Sequence, residues 1–226
     1  MNVARLGSGL GLALVLMMGT VARPMAAARV GETLDWRQFA TPADRKRLRA
    51  WRQAWIDALA HARKSNAADV VEGGALFDPD RAYPGAVPPP GRYRCRVFKL
   101  GAKGTAMAEF TRHPDFACRI GSNGQAATFY KLDGAQRPAG VLFDESAARA
   151  IFLGTLVIGD ERRAMTYGRD QSRDLAGYVE RVGDKRWRLV LPYPRFESIL
   201  DVVELVPEES APAPAPAPAP ATPPSP

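Results

Sequence analysis

Gly91-Arg92-Tyr93-Arg94-Cys95-Arg96-Val97 alternates strictly, with Tyr93, Cys95 and Val97 on one face and the arginines on the other. A period of two marks a half-buried β-strand, because successive side chains point to opposite faces of a sheet. Phe116, Cys118 and Ile120 repeat the pattern, and apolar runs follow at 127–132, 139–143, 150–158, 175–182, 187–191 and 199–206. Turn residues separate them, at 101–104, Ser122-Asn123-Gly124, Asp133-Gly134, Gly159-Asp160 and Gly183-Asp184. Short strands at this spacing predict an antiparallel meander that curls or closes into a barrel, since closure removes exposed edges.

Upstream the period becomes helical. Thr41-Pro42-Ala43-Asp44 supplies an N-cap hydroxyl, a first-turn proline and an acidic third residue. From there to about Lys64, Leu48, Trp51, Trp55, Ile56, Leu59 and Ala62 recur on one stripe. That stripe is expected to pack on the sheet, leaving Arg45, Lys46, Arg47, Arg49 and Arg52 on a solvated face. Residues 65–90 read as a loop rich in proline and glycine. The predicted fold class is therefore mainly β with an N-terminal helix (α+β). It is a barrel-like or curled antiparallel sheet packed against one amphipathic helix.

The two ends have compositions of their own. Residues 1–28 combine Arg5, an apolar run centred on Leu10 to Met17 and the small residues Ala26-Ala27-Ala28, the pattern of a cleaved export signal. No cysteine follows that run until Cys95, so no lipid-anchored cysteine is expected. No later stretch is apolar enough to span a membrane. From Pro207 to Pro226 the chain is dominated by Ala-Pro repeats, which cannot bury a core and are expected to form a disordered tail. Between them, 29–90 (helix and loop) and 91–206 (sheet) are expected to form one folded unit. The expected location is the periplasm or the exterior. Cys95 and Cys118, the chain's two cysteines, both lie on apolar strand faces. In an oxidising compartment they should form a disulfide. Closing a loop of that length stabilises a fold by about 3 kcal/mol.

Several function classes have no support in the sequence. The net charge is +7, of which Arg5 and Arg23 belong to the leader, leaving +5. The basic residues are not interleaved with aromatics, so a nucleic-acid partner is not expected. No Gly-x-Ser-x-Gly elbow, Ser-x-x-Lys pair or His-Glu-x-x-His motif occurs, and the histidines are His61 and His113 alone. Neither metal nor cofactor is expected. Asp160, Glu161, Asp170 and Asp174 are the carboxylates available to a hydrolase, provided that one is buried and its pKa raised. Gln136, Arg137, Tyr167 and Arg173 are the candidate ligand contacts; Gln136-Arg137-Pro138 reads first as a polar loop, with an anion contact at the barrel mouth as the alternative. The leading expectation is a non-catalytic module that binds a small ligand or a cell-envelope protein. A carboxylate hydrolase and a purely structural envelope protein are the alternatives.

One string of motifs is distinctive. It begins with Asp35-Trp36-Arg37, Trp51-Arg52-x-x-Trp55, Tyr93-Arg94-Cys95-Arg96, Lys99-Leu100-Gly101 and Cys118. It continues with Lys131-Leu132-x-Gly134-x-Gln136-Arg137-Pro138-x-Gly140, Phe152-Leu153-Gly154-Thr155 and Gly159-Asp160-Glu161. Tyr167-Gly168-x-Asp170, Trp187-Arg188-Leu189-Val190 and Pro192-x-Pro194-x-Phe196-Glu197-Ser198 complete it. Together these resemble the domain of unknown function 4893, a family of exported proteins from Gram-negative bacteria. The resemblance implies export and carries over no activity. Gly91-x-Tyr93 also resembles the Gly-x-Trp start of lipocalin-type barrels, over three residues alone.

Overall fold

The computed structural model describes residues 34–104, 106–124 and 126–208; the leader and most of the Ala-Pro tail lie outside the described residues. The strands are β1 (Gly91–Ala102), β2 (Phe110–Arg112), β3 (Phe116–Ser122), β4 (Ala127–Lys131) and β5 (Gln136–Ser146). They continue with β6 (Arg149–Ile158), β7 (Asp174–Gly183), β8 (Arg186–Pro192) and β9 (Ser198–Pro207). From β3 to β9 each strand pairs antiparallel with the next. β1 pairs with β3 on one side and β9 on the other, which closes an eight-stranded barrel. β2 extends the β3 side of β1 by pairing with Phe98–Leu100. Three residues are too few to show a period, which is why the sequence does not announce it.

Both faces of most of the barrel are covered. Tyr93, Cys95, Cys118, Ile120, Phe129, Phe152, Val179, Trp187, Leu189 and Leu205 fill the inside. Phe98, Leu100, Val190, Leu200 and Val202 point outward and are buried beneath helix. This double burial explains why the late strands read as continuous apolar runs. On β3 and β4 the outward residues Arg119 and Tyr130 are exposed.

The helices are α1 (Trp36–Phe39), α2 (Pro42–Arg49) and α3 (Trp51–Gly73), followed by a 3-10 turn, Gly74–Phe77. Thr41 caps α2 as expected, its side chain accepting from the Asp44 amide at 3.2 Å. The single helix expected over 41–64 instead breaks at Ala50, kinks at Asn66, where the backbone is non-helical, and resumes to Gly73. Curvature of the barrel is the reason for the break at Ala50. Leu48 packs with Ile151, Leu153 and Ala176 on β6 and β7, whereas Trp55, Leu59 and Ala62 pack over β1, β8 and β9. One straight axis cannot serve both patches. Gly74, at φ 53°, ends α3 in a conformation that costs glycine little. Ile56, which spacing places on the inward stripe, is 55% exposed. Arg47 departs from the solvated face and donates to the Asp174 carbonyl at 2.8 Å.

The proline-rich segment closes one end of the barrel. Ala86 and Val87 pack into the interior cluster. The Trp187 indole donates to the Gly85 carbonyl at 2.9 Å, and the Tyr93 hydroxyl to the Pro89 carbonyl at 2.6 Å. Tyr93 and Trp187 meet edge to face at 6.2 Å. Beside them the Cys95–Cys118 disulfide joins β1 to β3, with Cα atoms 6.0 Å apart. In the register Tyr93 faces Cys118 and Cys95 faces Phe116, so the bridge runs diagonally across the pair. Midway, the Phe152 ring lies over the paired glycines Gly140 and Gly154. A Cβ at either would overlap the partner backbone and that ring.

Candidate functional site

At the other end the barrel is hollow. A cavity of about 590 Å³ opens between the ends of the strands and the β8–β9 loop. Its depth is apolar: Val97, Phe129, Leu156, Leu175, Leu191 and Val203. These side chains come from alternate positions on six strands, so the period of two that builds the wall also lines the cavity. Where the closed end holds Tyr93 and Trp187, the open end has mostly branched aliphatic residues, and space is left over.

Polar groups gather toward the mouth. Lys99 continues the inward series Tyr93, Cys95 and Val97, and its ammonium sits 3.2 Å from Asp201 and 3.0 Å from Glu197. Burial works against the Lys99 charge, but the two carboxylates outweigh it and raise the Lys99 pKa. The cluster then holds two acids for one base. Asp201 is the buried acid of the two, and burial pushes its pKa up. Ser198 donates to the Asp201 carboxylate.

His113 lines the cavity from the β2–β3 connection, with Nε2 buried and unpartnered among the described residues. Burial, aided by the Lys99 charge, lowers its pKa. A histidine with a depressed folded pKa stays neutral when the unfolded chain takes up a proton. Stability should therefore fall as pH drops from the unfolded histidine value toward the lower folded one. Denaturant midpoints measured between pH 7 and 5 are expected to show this slope, and His113→Gln is expected to flatten it.

The rim includes a strained loop. Tyr193 and Glu197 have φ of 47° and 70°, a region that non-glycine residues enter at a cost of about 1–3 kcal/mol. The loop is held by the Tyr193 amide to the Ile199 carbonyl at 2.8 Å and the Lys103 amide to the Glu197 carbonyl at 2.9 Å. The Lys103 ammonium donates to the Pro194 carbonyl. Pro194, Arg195, Phe196 and Glu197 all line the cavity.

The family described as Domain of unknown function (DUF4893) matches residues 36–205. The chain belongs to that family. No curated protein and no solved structure matches it. In this DUF4893 domain, Lys99, Lys131, Gln136, Pro194, Phe196 and Glu197 belong to the motif string that carries the resemblance, and all line the cavity.

Of the ligand contacts expected from sequence, Gln136 lines the mouth. The other three tie the DUF4893 scaffold together. Arg137, one residue on and on the opposite face, donates to the carbonyls of Gly134, Gly159 and Glu161 at 2.6–2.7 Å. The Tyr167 hydroxyl donates to Asp44 and accepts from the Thr41 amide at 3.1 Å. Arg173 bridges Glu161 at 2.7 Å and Asp170 at 3.5 Å.

The four carboxylates do not converge. Asp160 is exposed, while Glu161 and Asp170 share Arg173. Asp174 is buried beside α2 with one oxygen on the Gly168 amide at 2.9 Å and the other unpartnered among the described residues. Among the described residues, no group of three histidines, cysteines or acids could hold a metal ion.

Lys99, His113, Lys131 and Asp201 line the cavity but are not among the site residues expected from sequence. Lys99 and Lys131 were detectable, because extending the alternation from Val97 and from Phe129 puts both inside. His113 beside Pro114 reads only as a turn until the cavity is seen.

Proposed function

We propose that the domain binds a small, largely apolar ligand in the open end of its barrel and performs no chemistry on it. The observation that carries this reading is the cavity of about 590 Å³, apolar in its depth and polar at its mouth. That volume falls in the usual range for ligand pockets, and eight-stranded barrels have room either to be filled by side chains or to hold one small ligand. A hydrolase using Asp160, Glu161, Asp170 and Asp174 has less support, since Asp160 is exposed, Glu161 and Asp170 are tied to Arg173, and Asp174 is buried beside α2. We place the domain in the periplasm or outside the cell. The leader-like composition of residues 1–28 and the paired cysteines support that location.

The test is titration with N-phenyl-1-naphthylamine, a neutral apolar fluorophore. One molecule per chain is expected to bind, with enhanced and blue-shifted emission. Leu156→Trp and, separately, Val97→Phe fill the cavity and are expected to weaken binding about tenfold or more, equivalent to about 1.4 kcal/mol. Their circular dichroism should match that of the parent. Absence of saturable binding, or equal binding by folded filled variants, would remove the proposal.

A further inference from the structure

We propose that the natural ligand carries one anionic oxyacid head group on its apolar body, and that Lys131 and His113 receive that head. This rests on the cavity reading above and adds the charge of what enters it. The inward face of β4 presents Phe129 and then Lys131, so the ammonium sits where the apolar depth meets the mouth. It lies 4.2 Å from the centroid of the Phe116 ring and makes no ion pair or hydrogen bond among the described residues. Burial lowers its pKa, although Asp133 pulls the other way. A half-buried cation without an anion at hydrogen-bond distance is a costly arrangement that a bound anion relieves.

The acids of the lining are otherwise engaged. Glu197 and Asp201 flank Lys99. Asp115 is bound to Arg96 on the outer side. Asp133 is exposed in the β4–β5 turn, where it accepts from the Ala117 amide at 3.4 Å. This leaves Lys131 as a cation inside the mouth with no ion pair among the described residues and, of the acids, only the exposed Asp133 acting on it from a distance. The second observation is independent of it. His113 lines the same cavity, and its Nε2 is buried without a partner among the described residues, so a neutral imidazole there holds hydrogen-bonding capacity that an acceptor oxygen reaching it would satisfy. Arg195, exposed on the strained loop at the rim, adds positive potential along the way in. An ammonium and an imidazole N–H at the polar end of an apolar pocket are both donors. The complementary head is an acceptor carrying negative charge, such as a carboxylate or sulfonate.

A matched pair of probes separates this from simple apolar binding. N-phenyl-1-naphthylamine and 8-anilinonaphthalene-1-sulfonate differ by one sulfonate. The sulfonate is expected to bind the parent about tenfold more tightly than the neutral probe, the scale of one charge-assisted contact. Lys131→Met should abolish that preference, the sulfonate then binding no more tightly than the neutral probe does to the same variant. Lys131→Arg should keep most of the preference, and His113→Gln should reduce it in part. Leu156→Trp should weaken both probes, which excludes binding to outer arginines. If the neutral probe binds and the sulfonate binds no more tightly, or keeps its preference in folded Lys131→Met, the head-group proposal is overturned while the cavity reading stands. If neither probe binds, both are overturned.

Discussion

Arg188→Met is expected to lower the unfolding free energy by about 3–5 kcal/mol, the usual cost of removing one partner from a buried charge pair. Arg188 is on the outer face of β8 with no exposed surface. Its guanidinium meets Glu180, itself 1% exposed, at 2.7 Å. The remaining donors reach the carbonyls of Ala75 at 3.2 Å, Leu76 at 3.0 Å, Asp78 at 2.7 Å and Arg81 at 3.0 Å. Trp55 lies over the guanidinium at 5.1 Å. One side chain thus joins β7, β8, α3 and the segment after it. Methionine fills much of the volume but satisfies neither the carboxylate nor the four carbonyls. Glu180 keeps Arg149, at 2.7 Å and partly exposed, which limits the loss. The double variant Arg188→Met/Glu180→Gln should therefore cost less than the sum of the single changes, because the stranded charge disappears. Urea unfolding measures the loss, and hydrogen exchange should show residues 74–83 losing protection first. A loss under 1 kcal/mol would mean that Arg188 does not anchor this segment.

The disulfide should have the next largest effect. Cys95→Ala/Cys118→Ala is expected to destabilise the fold by about 3 kcal/mol, because the intact bridge restricts the unfolded chain. The sulfurs sit inside the barrel next to Ile120, Tyr93 and Leu205, so alanine leaves a small void that adds to the loss. Reductant should shift the parent's urea midpoint to that of the double variant and leave the variant unmoved. The same bond tests location. Thiol labelling of unreduced, denatured protein should find no free thiol in chain made with its leader, and two in chain made without it. Equal midpoints would show that the bridge contributes nothing. Free thiols in the leader-bearing chain would count against export.

Local chemistry made much of this fold legible. Alternation through Tyr93, Cys95 and Val97, turn residues between strands and the Thr41 cap are short-range effects, and each corresponds to an element in the structure. The site was less legible because its parts are distant in sequence and individually ordinary. Lys99 and Asp201 are 102 residues apart and face each other only because β1 closes on β9. Arg137, conspicuous next to Gln136 and Pro138, falls on the outer face by the same alternation that sends its neighbours inward. Asp174, which looks like a surface turn residue, is buried by α2, an element more than a hundred residues upstream.

By itself the sequence determined eight of the nine strands, the inward face of those that alternate, the cysteine pair and the chain's family, because those depend on residues within a few positions of one another or on a string of motifs. Tertiary structure decided which end of the barrel is filled, where the helix must bend and which charges meet. Those outcomes depend on volumes and distances summed over all eight strands once the ring has closed, and no window of sequence contains that sum.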